Sequence, residues 1–227
     1  MLDTESHSHV VPGPAWPLLS VLPRLSGIAA SECTRASRDA YYRDLAKKVV
    51  ERRGEHARER SEDRRVLEQV IIPFVLSRFE PRMVLDVGRE AYEAFYNGFF
   101  VGRELWTIDR DPEHASFGSR NHVVDDVANL RDHFEDRCFD FVLMNGVFGW
   151  GLNHQPAIDR AFAAVHAALR PGGIFVLGWN NTPELTPVPL GQIRSLREFL
   201  PCRLSPLNGA SYRCPVYEHT FNIYTRR

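Results

Sequence analysis

Short apolar runs separated by stretches with helical spacing are the feature that most constrains the fold of this chain. The runs are MVLDV, LWTID, HVVDD, FDFVLM and GIFVLGW, and they follow one another between Met83 and Trp179. Each is apolar at consecutive rather than alternate positions, which indicates strands that are buried on both faces. The segments AYEAFYNGFF and PAIDRAFAAVHAAL between them have the apolar spacing of helices. We therefore predict an α/β fold with a doubly wound, mostly parallel sheet.

The residues before this alternation are predicted to form an arm and two helices. Prolines recur up to about residue 35, which favours an irregular arm. A surface helix is predicted from Ser37 to about Arg60, with an interruption at Gly54. We accordingly divide the chain into an N-terminal arm and helix, residues 1–60, and an α/β domain, residues 61–227.

The second helix is predicted to begin near Ser61 and to end before Pro81. The side chains of Ser61 and Asp63 are the expected N-terminal caps, and Pro73 is expected to kink the helix. It carries the apolar run VLEQVIIPFVLSRF. The helix should therefore pack its apolar side on the domain that follows.

Composition excludes several kinds of partner. The chain has 28 basic and 29 acidic side chains and a formal net charge of -1, so no nucleic-acid partner is expected. Its cysteines, Cys33, Cys138, Cys202 and Cys214, form no CxxC pair, which favours reduced thiols over disulfides or a metal site. Neither a secretory signal nor a membrane-spanning run is recognisable. We predict a cytoplasmic protein with no membrane association.

Polar residues follow the predicted strands in the order that an adenosine cofactor requires. Gly88 follows the first strand and permits a tight turn with close approach of a ligand to the backbone. Asp109 ends the second strand, where a carboxylate can accept hydrogen bonds from both ribose hydroxyls. Asp125 and Asp126 follow the third strand, and the register favours Asp126 for the exocyclic amine of adenine. The sequence thus predicts a cofactor site at the carboxyl ends of the strands.

The span from about Met83 to Trp179 resembles the class I S-adenosylmethionine-dependent methyltransferases. VLDVG resembles the first motif of that family, TIDRDP the second, VVDDVANL the adenine-side motif and FDFVLMNGVF the fourth-strand motif. AALRPGGIFVLGW resembles the motif that joins a helix to the fifth strand, and its LRPGG segment is much more typical of methyltransferases than of nicotinamide dehydrogenases. The GxGxxG that a nicotinamide enzyme requires after the first strand is absent.

The resemblance implies a seven-stranded sheet that ends in an antiparallel strand, for which YEHTFNIYTRR is the candidate. It also implies S-adenosylmethionine as the cofactor. The residues that it places at the cofactor site are Asp86, Gly88, Asp109, Arg110, Asp126, Val127 and Asn145. Two of these have a plainer interpretation: Asp86 could satisfy backbone amides at the end of its strand, and Asn145 could shape a loop.

One departure from the family pattern concerns the first motif. The family has two further glycines after the first, at alternate positions, where this chain has Glu90 and Tyr92. A side chain at Glu90 would crowd the surface that faces the methionine part of the cofactor. We expect it to point away, because a carboxylate beside the ligand's own carboxylate is costly unless paired. The alternative is that it pairs with the amino group or the sulfonium.

The activity implied by the resemblance is methyl transfer to a small-molecule acceptor. Asn145 follows the fourth strand at the position that faces the transferred methyl group. A general base is needed only when the acceptor holds its proton at neutral pH. His154, in the loop GWGLNHQP, is the first candidate base, and Glu218 and His219 are weaker ones. A solvent-facing or structural role is the alternative for His154.

Aromatic residues near the strand ends could line an acceptor pocket or simply belong to the core; they are Phe148, Trp150, Trp179 and Tyr212. A second class of function is also open. Glu90 and Tyr92 are compatible with a relative that binds or has lost the cofactor and serves as a partner subunit or regulator.

Overall fold

The computed structural model describes residues 10–12, 34–51, 61–216 and 218–227. The strands in these ranges are β1 (Val10–Pro12), β2 (Met83–Val87), β3 (Glu104–Asp109), β4 (Asn121–Val124), β5 (Phe139–Asn145), β6 (Leu169–Asn180), β7 (Phe199–Pro201), β8 (Ser211–Arg213) and β9 (His219–Arg226). The α-helices are α1 (Arg35–Glu51), α2 (Glu62–Val66), α3 (Ile72–Phe79), α4 (Leu130–His133) and α5 (Gln155–Ala168).

The strands form one sheet in the order β1-β4-β3-β2-β5-β6-β9-β7, and β8 pairs with β9. Strands β2 to β6 are mutually parallel, whereas β9 is antiparallel to β6, β7 and β8. The predicted seven-stranded, mostly parallel sheet with a C-terminal antiparallel strand is confirmed by the seven strands from β4 to β7 in this order. Strands β1 and β8, of three residues each, add to it at its periphery.

The sheet is covered on both faces, as the unbroken apolar runs predict. Neighbouring residues of β2 point to opposite sides: Leu85 packs in the cluster that contains α5, and Val84 in the cluster that contains α1 and α3. Both side chains are fully buried. The LRPGG segment lies at the start of β6, directly after α5. The motifs of the sequence therefore lie where strands and helices meet.

The N-terminal segments contribute to the same fold. In α1 the side chains of Ala46, Val49 and Val50 are buried in the cluster shared with α3. Gly54, the predicted interruption, lies outside the described residues, and the domain boundary after residue 60 stays a prediction. The prediction of an irregular arm is wrong for β1, which pairs antiparallel with β4 at the edge of the sheet. Pro12 is compatible with this edge position because a proline has no N–H to donate.

The second predicted helix spans Glu62 to Phe79, but a π-helical turn, Leu67–Ile71, separates α2 from α3. This turn immediately precedes α3, whose first turn contains Pro73, and a wider turn accommodates the missing proline N–H. Ser61 occupies the predicted N-cap position of α2, but its side chain makes no capping hydrogen bond. The Ser61 carbonyl instead accepts from the Arg65 N–H at 3.1 Å.

The segment after β2, expected to be helical, is a 3₁₀ helix over Ala91–Gly98. No helix within the described ranges has the length and apolar character needed to cross a membrane.

Candidate cofactor site

The carboxyl ends of β2, β3, β4 and β5 surround a cleft, which we call the strand-end cleft. This is the position at which doubly wound sheets bind ligands. Its lining residues are Val87, Gly88, Glu90, Ile108, Asp109, Arg110, Asp111, His114, Asp125, Asp126, Val127, Gly146, Val147, Trp150, Gly151 and Leu152. Of the residues predicted to bind a cofactor, the structure brings Gly88, Asp109, Arg110, Asp126 and Val127 together in this cleft.

Gly88 permits the tight turn that forms the floor of the strand-end cleft. Its φ is +76°, and a Cβ at this position would clash with the side chain of Val147 in the loop after β5. Its N–H donates to the Ile108 carbonyl at 3.0 Å, which ties the turn to β3. The turn therefore requires glycine on two counts, conformation and space.

Asp109 is held at the end of β3 by two contacts. Its Oδ1 accepts from the Asp111 N–H at 2.9 Å, and its Oδ2 lies 2.9 Å from His114 Nδ1. Burial favours a lower pKa for His114, but the hydrogen bond and charge of Asp109, helped by Glu90 and Asp111, raise that pKa above its ordinary value. The carboxylate is thus oriented before any ligand is present.

His114 was not identified as a site residue from the sequence. Asp111 caps the 3₁₀ helix Pro112–Phe117 by accepting from the Glu113 N–H at 2.9 Å, and this turn brings His114 back to Asp109. The DPEH segment, with a capping residue followed by proline, is the signal that could have indicated such a turn.

The two acids after β4 have different partners. Asp125 is bound to His133 Nε2 at 2.7 Å and to Asn129 Nδ2 at 2.8 Å. Burial alone would raise the pKa of Asp125, but these hydrogen bonds lower it. Asp126 caps the 3₁₀ helix Val127–Asn129 by accepting from the Ala128 N–H at 2.8 Å. The assignment of the adenine contact to Asp126 and Val127 stays a prediction.

Arg110 and Trp150 lie at the mouth of the strand-end cleft. Arg110 Nη1 is 3.5 Å from the Gly151 carbonyl oxygen, so the side chain reaches from the end of β3 to the loop after β5. Trp150 is 61% exposed although it lines the cleft. An exposed indole beside a cleft is available to a ligand.

Asp86 lies behind the strand-end cleft in a buried ion pair. Its Oδ2 accepts from Arg89 Nε at 2.9 Å and from Arg89 Nη2 at 2.6 Å. Burial raises the pKa of Asp86 to about 6, although the charge of Arg89 opposes this rise. Arg89 also donates to Asn97. Asp86 is thus satisfied by Arg89, a partner that sequence reasoning missed, and a cofactor role for Asp86 would be indirect.

Asn145 lies at the end of β5 and contacts His219 of β9. Asn145 Oδ1 is 3.0 Å from His219 Nε2, and His219 Nδ1 is 2.9 Å from Asn180 Oδ1. A neutral imidazole has a single N–H, and we assign it to Nε2, which donates to Asn145 Oδ1, because Nδ2 of that amide faces Glu93. His219 Nδ1 then accepts from the Asn180 amide, whose NH₂ group faces the ring. Gly178 leaves the space for this cluster, since a Cβ there would clash with Asn145. Both nitrogens of His219 are therefore engaged.

Protonation of His219 is expected to destabilise the fold at acid pH. Burial lowers the pKa of His219 to about 4, whereas an unfolded histidine titrates near about 6.5. The unfolded state binds the proton first, so this contribution to stability is present above about pH 6.5 and is lost as the pH falls towards 4. At pH 5 the loss is about 2 kcal/mol.

Urea denaturation of the wild type and of His219→Gln at pH 7.5 and pH 5.0 measures this contribution, because glutamine can donate to Asn145 but does not titrate. The difference in unfolding free energy between the two proteins should narrow at pH 5.0. An unchanged difference would contradict the assignment.

The other candidate residues lie in different environments. His154 is exposed at the N-terminus of α5 and makes no side-chain capping hydrogen bond. Phe148 and Trp179 belong to the core, where their rings pack 5.6 Å apart, so for them the pocket-lining interpretation is wrong. Tyr212 donates to Glu62 at 2.9 Å, which ties β8 to the start of α2. Trp150 is the one of these aromatic residues that lines the strand-end cleft.

Glu90 and Tyr92 take up different positions after the Gly88 turn. Glu90 is exposed and lines the strand-end cleft, and its charge acts on His114. The Tyr92 hydroxyl accepts from Arg64 Nη2 of α2 at 3.0 Å. The expectation that the Glu90 carboxylate points away from a bound cofactor stays a prediction.

Comparisons with known proteins agree with this geometry. A family model described as "Methyltransferase domain" matches residues 85–177. No curated protein sequence matches the chain. Among solved structures, the N-methyltransferase NodS from Bradyrhizobium japonicum is similar with a TM-score of 0.57 and 15% identity, covering 74% of this chain and 99% of that chain.

A second similar structure is the 1,6-didemethyltoxoflavin-N1-methyltransferase from Burkholderia thailandensis, which contains 1,6-didemethyltoxoflavin and S-adenosylhomocysteine. Its TM-score is 0.52 at 18% identity, and the match covers 88% of this chain and 93% of that chain. NodS in complex with S-adenosylhomocysteine matches with a TM-score of 0.56 at 14% identity, covering 82% of this chain and 97% of that chain. At such identities the likeness concerns the fold.

The sheet order and the strand-end cleft define a Rossmann-like α/β fold. The family model covers residues 85–177 of the 227, so the segment from β2 to β6 is similar to the family described as "Methyltransferase domain".

Proposed function

We propose that this chain binds S-adenosylmethionine in the strand-end cleft and transfers its methyl group to a small-molecule acceptor. The observation that carries the proposal is that one cleft collects a glycine turn, an acid after β3 and an acid after β4, in that order. Gly88 would face the methionine part, Asp109 would accept from the ribose hydroxyls, and Asp126 with Val127 would contact adenine. These residues fit the cofactor because Gly88 forms a tight turn directly after β2 and the Asp109 carboxylate is already oriented by the Asp111 N–H.

When bound, S-adenosylmethionine supplies an electrophilic methyl group on a sulfonium. The protein then has mainly to orient the reactants and to exclude water. Asn145, beside Gly146 at the end of β5, is the proposed contact near the reacting groups. Among the histidines considered, His154 has an exposed ring that could accept a proton, whereas both ring nitrogens of His219 are engaged. His154 therefore stays the candidate base for an acceptor that retains its proton, although it is not among the residues that line the strand-end cleft.

Charge supports a small acceptor over a nucleic acid. The strand-end cleft is lined by the acids Glu90, Asp109, Asp111, Asp125 and Asp126. These outnumber the basic side chains that also line it, Arg110 and His114. The negative charge of these carboxylates would repel the phosphate backbone of a nucleic acid. The small heterocycle in the Burkholderia thailandensis structure is an acceptor of the size that we propose.

Thermal denaturation with S-adenosylmethionine or S-adenosylhomocysteine tests the binding step. At a ligand concentration of a hundred times Kd, stabilisation should be about 2.7 kcal/mol. Methyl transfer would then be sought with amine, alcohol and heterocyclic acceptors. Stabilisation by neither ligand would favour the second function, a cofactor-free partner subunit or regulator. The observation that supports this second function is the exposed Glu90 carboxylate, which lines the strand-end cleft.

Replacing Glu90 with glycine is expected to leave the affinity for S-adenosylhomocysteine unchanged or to raise it. The substitution removes a negative charge near the ligand's carboxylate and frees backbone surface. Calorimetry with both cofactor forms measures the effect. A clear loss for both ligands, with the fold intact, would show that Glu90 pairs with the amino group. A loss confined to S-adenosylmethionine would show that it pairs with the sulfonium.

A further inference from the structure

A buried carboxylate connects helix α2 to the wall of the strand-end cleft. Glu93 Oε2 accepts from the Glu90 N–H at 3.0 Å, and Glu90 lines the cleft. Glu93 Oε1 forms an ion pair with Arg64 Nη1. The side chains of Arg64 and Glu93 are 9% and 5% exposed, so solvent screens this pair little.

Arg64 contacts two tyrosines in addition to Glu93. Its Nη2 donates to the Tyr92 hydroxyl at 3.0 Å, its Nη1 donates to the Tyr96 hydroxyl at 3.2 Å, and its guanidinium lies 4.8 Å from the centroid of the Tyr92 ring. The Tyr96 hydroxyl in turn donates to Glu68 Oε1 at 3.1 Å. The planar fork of an arginine can hold several such partners at once, which a lysine cannot. Arg64 therefore contacts three residues, Tyr92, Glu93 and Tyr96, of the 3₁₀ helix that follows the Gly88 turn.

The Glu93 carboxylate also lies near Asn145, at the end of β5 on the other side of the strand-end cleft. Asn145 Nδ2 lies 3.5 Å from Glu93 Oε1, and Asn145 directly precedes Gly146, which lines the strand-end cleft. Glu93 thus contacts the Glu90 backbone on one side and Asn145 on the other. In the proposed binding mode these two positions flank the methionine part of the cofactor. The adenosine part is placed by Asp109 and Asp126, which are held by their own contacts.

We propose that Arg64 is a positioning residue for the methionine end of the strand-end cleft. It acts through Glu93, which holds the Glu90 turn and Asn145 in place. Arg64 belongs to α2 and lies outside the region that the family model matches, residues 85–177. The contacts that hold Glu93 therefore come from a helix that precedes the matched region. The chain thereby stabilises a turn that has Glu90 and Tyr92 at positions where relatives have glycine. The inference rests on the proposed cofactor.

The test compares two ligands that differ only at the methionine end. S-adenosylhomocysteine has the amino-acid part, and 5′-methylthioadenosine lacks it. The full chain is titrated with each by calorimetry, as the wild type, Arg64→Met and Arg65→Met. Arg65 is the matched control because it is the next residue of α2 and its side chain is 55% exposed.

Arg64→Met is expected to lower the affinity for S-adenosylhomocysteine about tenfold, a size observed for residues that act on a site without contacting the ligand. The affinity for 5′-methylthioadenosine should remain near that of the wild type. Arg65→Met should change neither. A purely structural role would weaken both ligands alike, so the ratio of the two affinities is the decisive measurement.

Arg64→Met leaves Glu93 buried without its cation, and this variant can fail to fold. Arg64→Lys keeps the charge but loses the fork, so it should show the same selective loss in a folded protein. Equal losses for both ligands, no loss, or the same selectivity in Arg65→Met would overturn the positioning role. A wild type that binds 5′-methylthioadenosine as tightly as S-adenosylhomocysteine would overturn it too. A wild type that binds neither ligand would overturn the proposed function as well.

Discussion

Arg89→Met is expected to lower the free energy of unfolding by about 3–5 kcal/mol at pH 8, the range typical of breaking a buried ion pair by removing one partner. The side chains of Arg89 and Asp86 are 2% and 6% exposed, and both Arg89 nitrogens that contact Asp86 donate to the same oxygen. Without Arg89, the Asp86 carboxylate is left charged in an apolar setting. Urea denaturation gives the difference in unfolding free energy.

The cost of Arg89→Met should be smaller at acid pH. Burial raises the pKa of Asp86 to about 6 even with Arg89 present, so the folded state binds a proton more readily than the unfolded state, where aspartate titrates near about 3.9. Protonation of Asp86 thus stabilises the folded state. This contribution is fully present below the pKa that Asp86 has in the unfolded state, and it is lost as the pH rises through the pKa that Asp86 has in the folded state. Removing Arg89 raises the folded pKa further. At pH 5 the variant should therefore be closer to the wild type than at pH 8.

The double variant Asp86→Asn/Arg89→Met is the matched control for this effect, because it removes both charges. It should be more stable than Arg89→Met at pH 8, and its difference from the wild type should vary less with pH. A single variant that is as stable as the wild type at pH 8 would contradict the buried ion pair.

Asp109→Ala is expected to weaken binding of S-adenosylhomocysteine by about 1.5–3 kcal/mol, or about 10- to 150-fold, the cost of losing hydrogen bonds to a charged group. The side chain is 12% exposed and is held by Asp111 and His114, so its oxygens are oriented before the ligand arrives. Calorimetry measures the affinity, and Asp136→Ala, on an exposed loop after α4, is the control. Unchanged affinity would remove Asp109 from the site.

A second readout of Asp109→Ala needs no ligand. Since Asp109 is the main group that raises the pKa of His114, the variant should lower that pKa towards or below its ordinary value. Titration of the His114 ring protons by NMR measures the shift. An unshifted His114 would show that the contact between these side chains is absent in solution.

The fold could be predicted because each strand is recognisable from its own apolar run in the sequence. Runs such as FDFVLM are apolar on both faces, and this pattern requires a sheet covered on two sides whatever the partners are. The acids at the ends of β3 and β4 could likewise be placed, since strand ends of a parallel sheet meet at one edge. Asp109 and Asp126 line the strand-end cleft for this reason.

Contacts between distant residues could not be predicted in this way. In the segment EDRRV, Arg64 and Arg65 are equivalent by composition, yet one side chain is 9% exposed and the other 55%. The difference arises because Arg64 faces Glu93, which lies far along the chain. In the sequence, the loop position of His154 favours it over His219 as a base. The structure places His154 in solvent and His219 beside Asn145.

The arrangement of β9 has a consequence for the order in which the chain folds. β9 pairs with β6 along seven residues and with β7 and β8 on its other side, although it follows all of them in the sequence. During synthesis β2 to β6 can associate first, but one edge of β6 then stays unpaired until residues 219–226 arrive. Unpaired edges invite association with other chains. Nascent chains interrupted before β9 should therefore be the form of this protein that is most prone to aggregation and most dependent on chaperones.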